Sequence, residues 1–200
     1  MTNEKQEKTK LDYKTNEARY QRGLAYANIN QYQDAIQEFN LVLQHNSNLN
    51  KAYYNRGLAK LHQNNLNGAL QDIKTYANRV NHGNNLAHAY HLTGIIYAKR
   101  QKYNASIEAF TNAIEEDSTY AEAYFNRGIS KGILKNHQSA IQDYNKAIQL
   151  KPNKGEYYYN RGISRINLNK FEQGCSDFKK SKSLGFGQAQ KMIQTYCENH

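Results

Sequence analysis

The sequence predicts an all-α chain, a helical solenoid of five helix–turn–helix repeats closed at its C-terminal end by a capping helix. Three observations predict it. A glycine recurs at Gly23, Gly57, Gly94, Gly128 and Gly162, at separations of 34, 37, 34 and 34 residues. A period of that length points to stacked repeats. The surroundings recur with the glycine, as YQRGLAY, YNRGLAK, HLTGIIY, FNRGISK and YNRGISR. Each unit also carries two stretches with apolar residues at helical spacing, joined by a short polar turn.

With each glycine at position 8, the units span residues 16–49, 50–83, 87–120, 121–154 and 155–186. The first helix covers roughly positions 1 to 14 and the second roughly 17 to 31. Residues 1–15 read as a polar, basic tail containing Lys5, Lys8, Lys10 and Lys14. The three extra residues before the third unit fall in Asn81-His82-Gly83-Asn84-Asn85. That is a turn signal, so the insertion is expected to lengthen a loop.

Position 20 is small, being Ala35, Ala69, Ser106, Ala140 and Gly174. Small residues there and at position 8 let two antiparallel helices approach closely. Position 24 is Phe39, Ile73, Phe110, Tyr144 and Phe178, large side chains that fill the space beside that contact. Position 4 is Tyr53, Tyr90, Tyr124 and Tyr158; the first unit has Arg19, with no preceding unit to pack on. After the fifth unit, Gly185-Phe186-Gly187 makes a turn. Residues 188–198 then read as a capping helix that ends a single domain of residues 16–198, with Ala189, Met192, Ile193, Tyr196 and Cys197 toward the last repeat.

In unit length, in the small residues at positions 8 and 20, and in the aromatics at 4, 17 and 24, the chain resembles the tetratricopeptide repeat family. The resemblance implies a right-handed solenoid. The departures are mild: Pro152 alone keeps the family's proline, His137 replaces an aromatic, and Lys60, Lys131 and Arg165 replace the usual Tyr at position 11.

The repeats serve as their own comparison set. Position 7 is Arg22, Arg56, Thr93, Arg127 and Arg161; position 23 is Glu38, Asp72, Ala109, Asp143 and Asp177. Arginine and acid occur together in four units and vanish together in the third. The two positions are nearly equidistant from the turn, so they lie at one height on the helix pair. The expectation is an intra-repeat salt bridge in units one, two, four and five, which withdraws those arginines from ligand binding.

In the family, the first helix of each unit lines a concave surface. Carried over, that surface takes Tyr20, Tyr54, His91, Phe125 and Tyr159 at position 5. It takes Gln21, Asn55, Leu92, Asn126 and Asn160 at position 6, and Leu24, Leu58, Ile95, Ile129 and Ile163 at position 9. The resemblance thus implies a row of aromatics, a row of amides broken at Leu92, and an aliphatic floor. An Asn amide both donates and accepts, so such a row could grip a peptide backbone whatever its side chains. It could equally bond within the helix layer, and both readings stay open here. A clamp for a C-terminal carboxylate, as the family uses, is not expected: no unit has Lys at position 5 with Asn at 9, and His88 and Leu92 stand where Lys and Arg would be needed.

A formal charge of +10 raises the prospect of acidic partners or nucleic acid. The groove itself carries Lys51 and Lys99 against Glu17, Glu122 and Glu156. His88 and His91 read as exposed groove histidines able to tune binding near about pH 6–7. His62 stands too far along its helix, by about 16 Å, to complete a metal site with them. Cys175 takes a position that is Ile36, Leu70, Ile107 and Ile141 elsewhere, hence a core position, and Cys197 ends the helix that covers it. They are either reduced core thiols or a disulfide pinning the cap.

No phosphate loop, dinucleotide fingerprint or nucleophile elbow is present in the sequence. The expectations are therefore no catalysis, no cofactor and no metal. The function expected is a scaffold that binds an extended peptide or a partner protein. The alternative is a nucleic-acid-associated repeat protein using its positive charge and groove aromatics, a reading the groove's few cations make less favoured. Self-association through the ends of the array is a further prospect. No segment is apolar enough to span a membrane. The residues after Met1 lack the apolar run of a secretory signal, so a native start there implies the cytoplasm, while an exported form stays open.

Overall fold

The computed structural model describes residues 3–197, with side chains from residue 14 onward except at 84. Among the described residues there are eleven helices and no strand. They are α1 (Asn3–Asn28), α2 (Tyr32–His45), α3 (Asn50–His62), α4 (Leu66–Ala77), α5 (Asn84–Lys99), α6 (Tyr103–Glu116), α7 (Ala121–Ile133), α8 (His137–Leu150), α9 (Gly155–Ile166), α10 (Phe171–Ser183) and α11 (Ala189–Tyr196). Glu198, the expected end of the capping helix, lies outside the described residues, as do the side chains of Lys5, Lys8 and Lys10. None of the helices is long and apolar enough to cross a membrane.

The chain divides into two compact units, Met1–Asn81 and His82–His200. The division falls at the polar insertion, so the third helix pair belongs with the fourth and fifth pairs. In the first unit α1 packs on α2, α2 on α3, and α3 on α4. In the second, each helix from α5 to α10 packs on its successor.

Each first helix is stopped by the same device. The residue at position 15 takes left-handed backbone: Asn30 (φ 62°), Asn64 (60°), Gln101 (57°), Lys135 (63°) and Asn169 (60°). The amide after it reaches back five residues, as in Gln31 N to Tyr26 O at 2.9 Å and Asn136 N to Lys131 O at 2.9 Å. Lys135 N bonds Gly132 O at 2.9 Å in the same turn. These paired bonds satisfy carbonyls that a helix end would otherwise leave open. Asn tolerates this backbone better than Gln or Lys, because its short side chain can bond locally.

The recurring glycine is required by a close approach. A side-chain carbon at Gly94 would stand 2.5 Å from Phe110 Cε1, and one at Gly128 2.7 Å from Tyr144 Cε1. Phe39, Phe110 and Phe178 are almost fully buried beside these contacts, as is Tyr144.

At the N-terminal end, α1 begins at Asn3 and so runs through the stretch read as a tail. The reason is compositional: residues 3–22 contain no Gly or Pro and are rich in Lys, Glu and Gln, all good helix formers. At the other end, α11 packs on α10, burying Ala189 and Ile193 against Phe178. Of the two readings left open for the cysteines, the structure has the disulfide, Cys175 to Cys197 with Cα atoms 5.6 Å apart. Cys175 is partly rather than fully buried.

Candidate functional site

The residues expected to line a binding face sit on α1 and α3 in the first unit, and on α5, α7 and α9 in the second. In the first unit Gln21 is exposed and donates to Glu17 at 2.7 Å. Tyr20 is buried, while Leu24, Tyr54, Asn55 and Leu58 are half-buried. The Tyr54 ring leans on Tyr76 with centroids 5.0 Å apart. The Asn55 amide nitrogen donates to Tyr20 Oη and to Lys51 O, both at 2.9 Å. Both of its hydrogens are thus spent within the fold.

In the second unit Ile95, Phe125, Asn126, Ile129, Tyr159, Asn160 and Ile163 are all half-buried. Phe125 contacts Tyr157 and Tyr159 contacts Phe186, at centroid distances of 4.5 and 5.1 Å. The Asn160 amide donates to Glu156 O, one turn back, at 2.8 Å. Asn126 Nδ2 lies 2.9 Å from His91 Nε2. The row of amides therefore uses its N–H groups to tie down the helix layer, and their carbonyl oxygens remain as the acceptors.

His91 departs from expectation. It is 8% exposed, not an open groove histidine. Burial, with the nearby His88 charge second, lowers its pKa to about 4, so it does not titrate near neutrality. Since Nε2 accepts from Asn126, Nδ1 carries the proton and donates to Tyr120 Oη at 3.0 Å. Leu92, which breaks the amide row, is buried as well. His88 is exposed. It borders a cleft of about 500 Å³ with Tyr120, Asp117, Thr119, Glu122 and Lys151. Burial is the largest influence on Glu122 and would push its carboxyl up, but the 2.5 Å bond from Lys151, a backbone hydrogen bond and the neighbouring Lys151 charge together leave it below its usual range.

The arginine–acid pairs link the first helix of a unit to its second. Arg56 reaches Asp72 through Nε (2.8 Å) and Nη2 (2.7 Å). Arg127 reaches Asp143 at 3.0 and 2.7 Å, and Arg161 reaches Asp177 at 3.0 and 2.7 Å. Arg22 makes one 2.9 Å bond to Glu38 and is 55% exposed. In the third unit Thr93 bonds Ala89 O instead.

Each Asp holds a second cation that sequence reasoning missed. Lys60, Lys131 and Arg165 reach Asp72, Asp143 and Asp177 at 2.7, 2.8 and 2.7 Å. The signal was present: a cation at position 11 accompanies Asp at 23, whereas Tyr26 accompanies Glu38 and Tyr97 accompanies Ala109. The third nitrogen of each arginine reaches the preceding unit, where Nη1 bonds Asn40, Thr111 and Asn145 at 2.8, 3.0 and 2.7 Å. Each guanidinium also lies over the Tyr at position 4, for example Arg127 over Tyr124 at 5.5 Å.

This arrangement offers apolar and aromatic contact area, carbonyl acceptors and a few acids. Among the described residues no three His, Cys, Asp or Glu side chains are grouped to hold a metal ion. Tetratricopeptide repeat models match residues 17–48 and 121–154, and a TPR repeat model matches 94–131. No curated protein sequence matches the chain.

Solved structures share the fold. A MamA crystal structure superposes with a TM-score of 0.75 at 23% identity, covering 84% of this chain and 96% of that one. The C-terminal part of a TPR repeat-containing protein from Cytophaga hutchinsonii gives 0.73 at 22%, covering 82% and 64%. YrrB, described as a TPR protein with an unusual peptide-binding site, gives 0.69 at 14%, covering 83% and 84%.

Proposed function

Since the chain is a tetratricopeptide repeat protein, we propose that it is a protein-interaction scaffold whose first helices hold an extended peptide of largely apolar character. The observation that carries this reading is the half-buried strip of Ile95, Phe125, Ile129, Tyr159 and Ile163, flanked by Asn126 and Asn160. Apolar side chains of a ligand would cover the strip, and its backbone N–H groups would donate to the two amide oxygens. The amides are already oriented by their own hydrogen bonds, so little ordering is left for binding to pay.

The charge at this face is close to balanced, since Lys99 ends α5 and Lys151 bonds Glu122. Glu122 and Glu156 open α7 and α9. The arginines that raise the net charge are held by Asp143 and Asp177. Both features weigh against a phosphate backbone. YrrB, with its peptide-binding site, lends the reading support by analogy.

A library of extended peptides selected against the whole chain tests it. The best peptide should lose about five- to tenfold in affinity on Asn126→Ala or Asn160→Ala, equivalent to one net hydrogen bond of about 1 kcal/mol. Phe125→Ala should weaken it further, with helicity checked by circular dichroism. If all three variants bind as the parent does, the face is not the site. Salt-dependent capture of single-stranded RNA with no peptide selected would replace this reading with the nucleic-acid one.

A further inference from the structure

The helix α11 packs on α10. It has eight residues, too few to remain helical alone. What it covers is apolar: Ala189 and Ile193 bury against Phe178, with Tyr159, Ile163, Ile166 and Met192 around them. It is tied in at two points. One is the Cys175–Cys197 disulfide. The other is the turn through Gly185 and Gly187, where Phe186 lies on Tyr159 with ring centroids 5.1 Å apart, while both glycines stand open with no atom within 4 Å of where a side-chain carbon would stand. Gly185 already uses left-handed backbone, at φ 84°. The disulfide is thus the fastening that can be undone without unfolding α10.

We propose that the Cys175–Cys197 bond latches an exchangeable docking surface, and that opening it lets α11 pass between two copies of this chain to form a two-fold dimer. The occupant is set by identity: the face on α9 and α10 that fits its own α11 fits a second copy's α11 by the same contacts. Reciprocal exchange closes on itself, so assembly stops at two. The tether raises the local concentration of a chain's own α11, so exchange grows with protein concentration. A dimer would carry the proposed peptide-binding face twice, which converts weak single contacts into avidity.

The chemistry balances as thiol–disulfide exchange. A small dithiol gives two electrons and two protons to the Cys175–Cys197 bond, leaving two thiols and a cyclic disulfide. On reoxidation, the Cys197 thiolate attacks a glutathione disulfide and releases glutathione thiolate. The Cys175 thiolate of the second copy then displaces a second glutathione thiolate to form the inter-chain bond.

The test uses the unmodified chain. Equal amounts of ¹⁴N- and ¹⁵N-labelled protein are mixed at high concentration, reduced with dithiothreitol, reoxidised with glutathione disulfide and digested. Exchange predicts Cys175–Cys197 peptides of mixed isotope mass, approaching half of the linked peptides in the dimer fraction, and none in a mixture never reduced. Linked peptides of unmixed mass only, with a monomer throughout, would overturn the proposal. Dimers joined Cys175–Cys175 or Cys197–Cys197 would overturn it equally, because α11 would not be seated on the partner's α10.

Discussion

Arg127 grips Asp143 with two parallel bonds, at 3.0 and 2.7 Å, and Asp143 is almost completely buried. Such a fork is sensitive to which partner is removed. Asp143→Ala strips the counter-charge from both Arg127 and Lys131 and should lower stability by about 3–5 kcal/mol. Arg127→Ala leaves Lys131 on the carboxylate and should lower it by about 1–3 kcal/mol. Arg22→Ala, at an exposed single bond, should leave the urea midpoint where it is. Urea titrations of the three variants should keep this order.

His91 makes the chain sensitive to mild acid. Its folded pKa of about 4 lies below the ordinary 6.5. Between those values the unfolded chain binds the proton and the folded chain does not, so stability is intact above pH 6.5 and is lost as pH falls toward 4. The full loss is about 3 kcal/mol. His91→Phe, which copies Phe125 of the next unit, should show a shallower decline over that window. A slope equal to the parent's would mean that His91 is protonated in the fold.

The contact between Gly94 and Phe110 has no spare room. Gly94→Ala should lower stability by about 1–3 kcal/mol despite the better helix propensity of alanine. Phe110→Leu alone should also destabilise. The double variant should be more stable than the sum of the singles predicts, a coupling of at least about 0.5 kcal/mol by thermal unfolding.

Lys135 holds left-handed backbone at φ 63° with no help from an Asn side chain. Lys135→Gly should raise stability by about 0.5–1 kcal/mol, once the added freedom of the unfolded chain is set against the strain relieved. Asn169→Gly should gain less. Thermal midpoints of the two variants decide it, and a loss at Lys135→Gly would contradict the assignment of that turn.

Features that repeat were legible in the sequence, and features supplied by one neighbour were not. The glycine register and the arginine–acid pairs could be read because four or five copies vary together. The second cation on each Asp was equally repetitive, yet Lys60, Lys131 and Arg165 read only as departures from a Tyr. His91 shares its register position with Tyr54 and Phe125, which are half-buried; it is sealed by Tyr120 and Asn126, and nothing in its own helix announces them. The helical start of α1 was hidden because its residues carry propensity without apolar periodicity. Whether Cys175 and Cys197 bond depends on where an eight-residue helix lands, which spacing alone leaves open.

The reach of each arginine into the preceding unit sets how such a chain can grow. Arg161 finds Asn145 in front of it, and Arg127 finds Thr111. A gene that duplicated residues 121–154 would set a second Arg127 behind Asn145, where Arg161 already shows that the joint closes. Lengthening at that point demands no new arginine or partner, so the array can be extended there one unit at a time while the seams on either side keep their bonds.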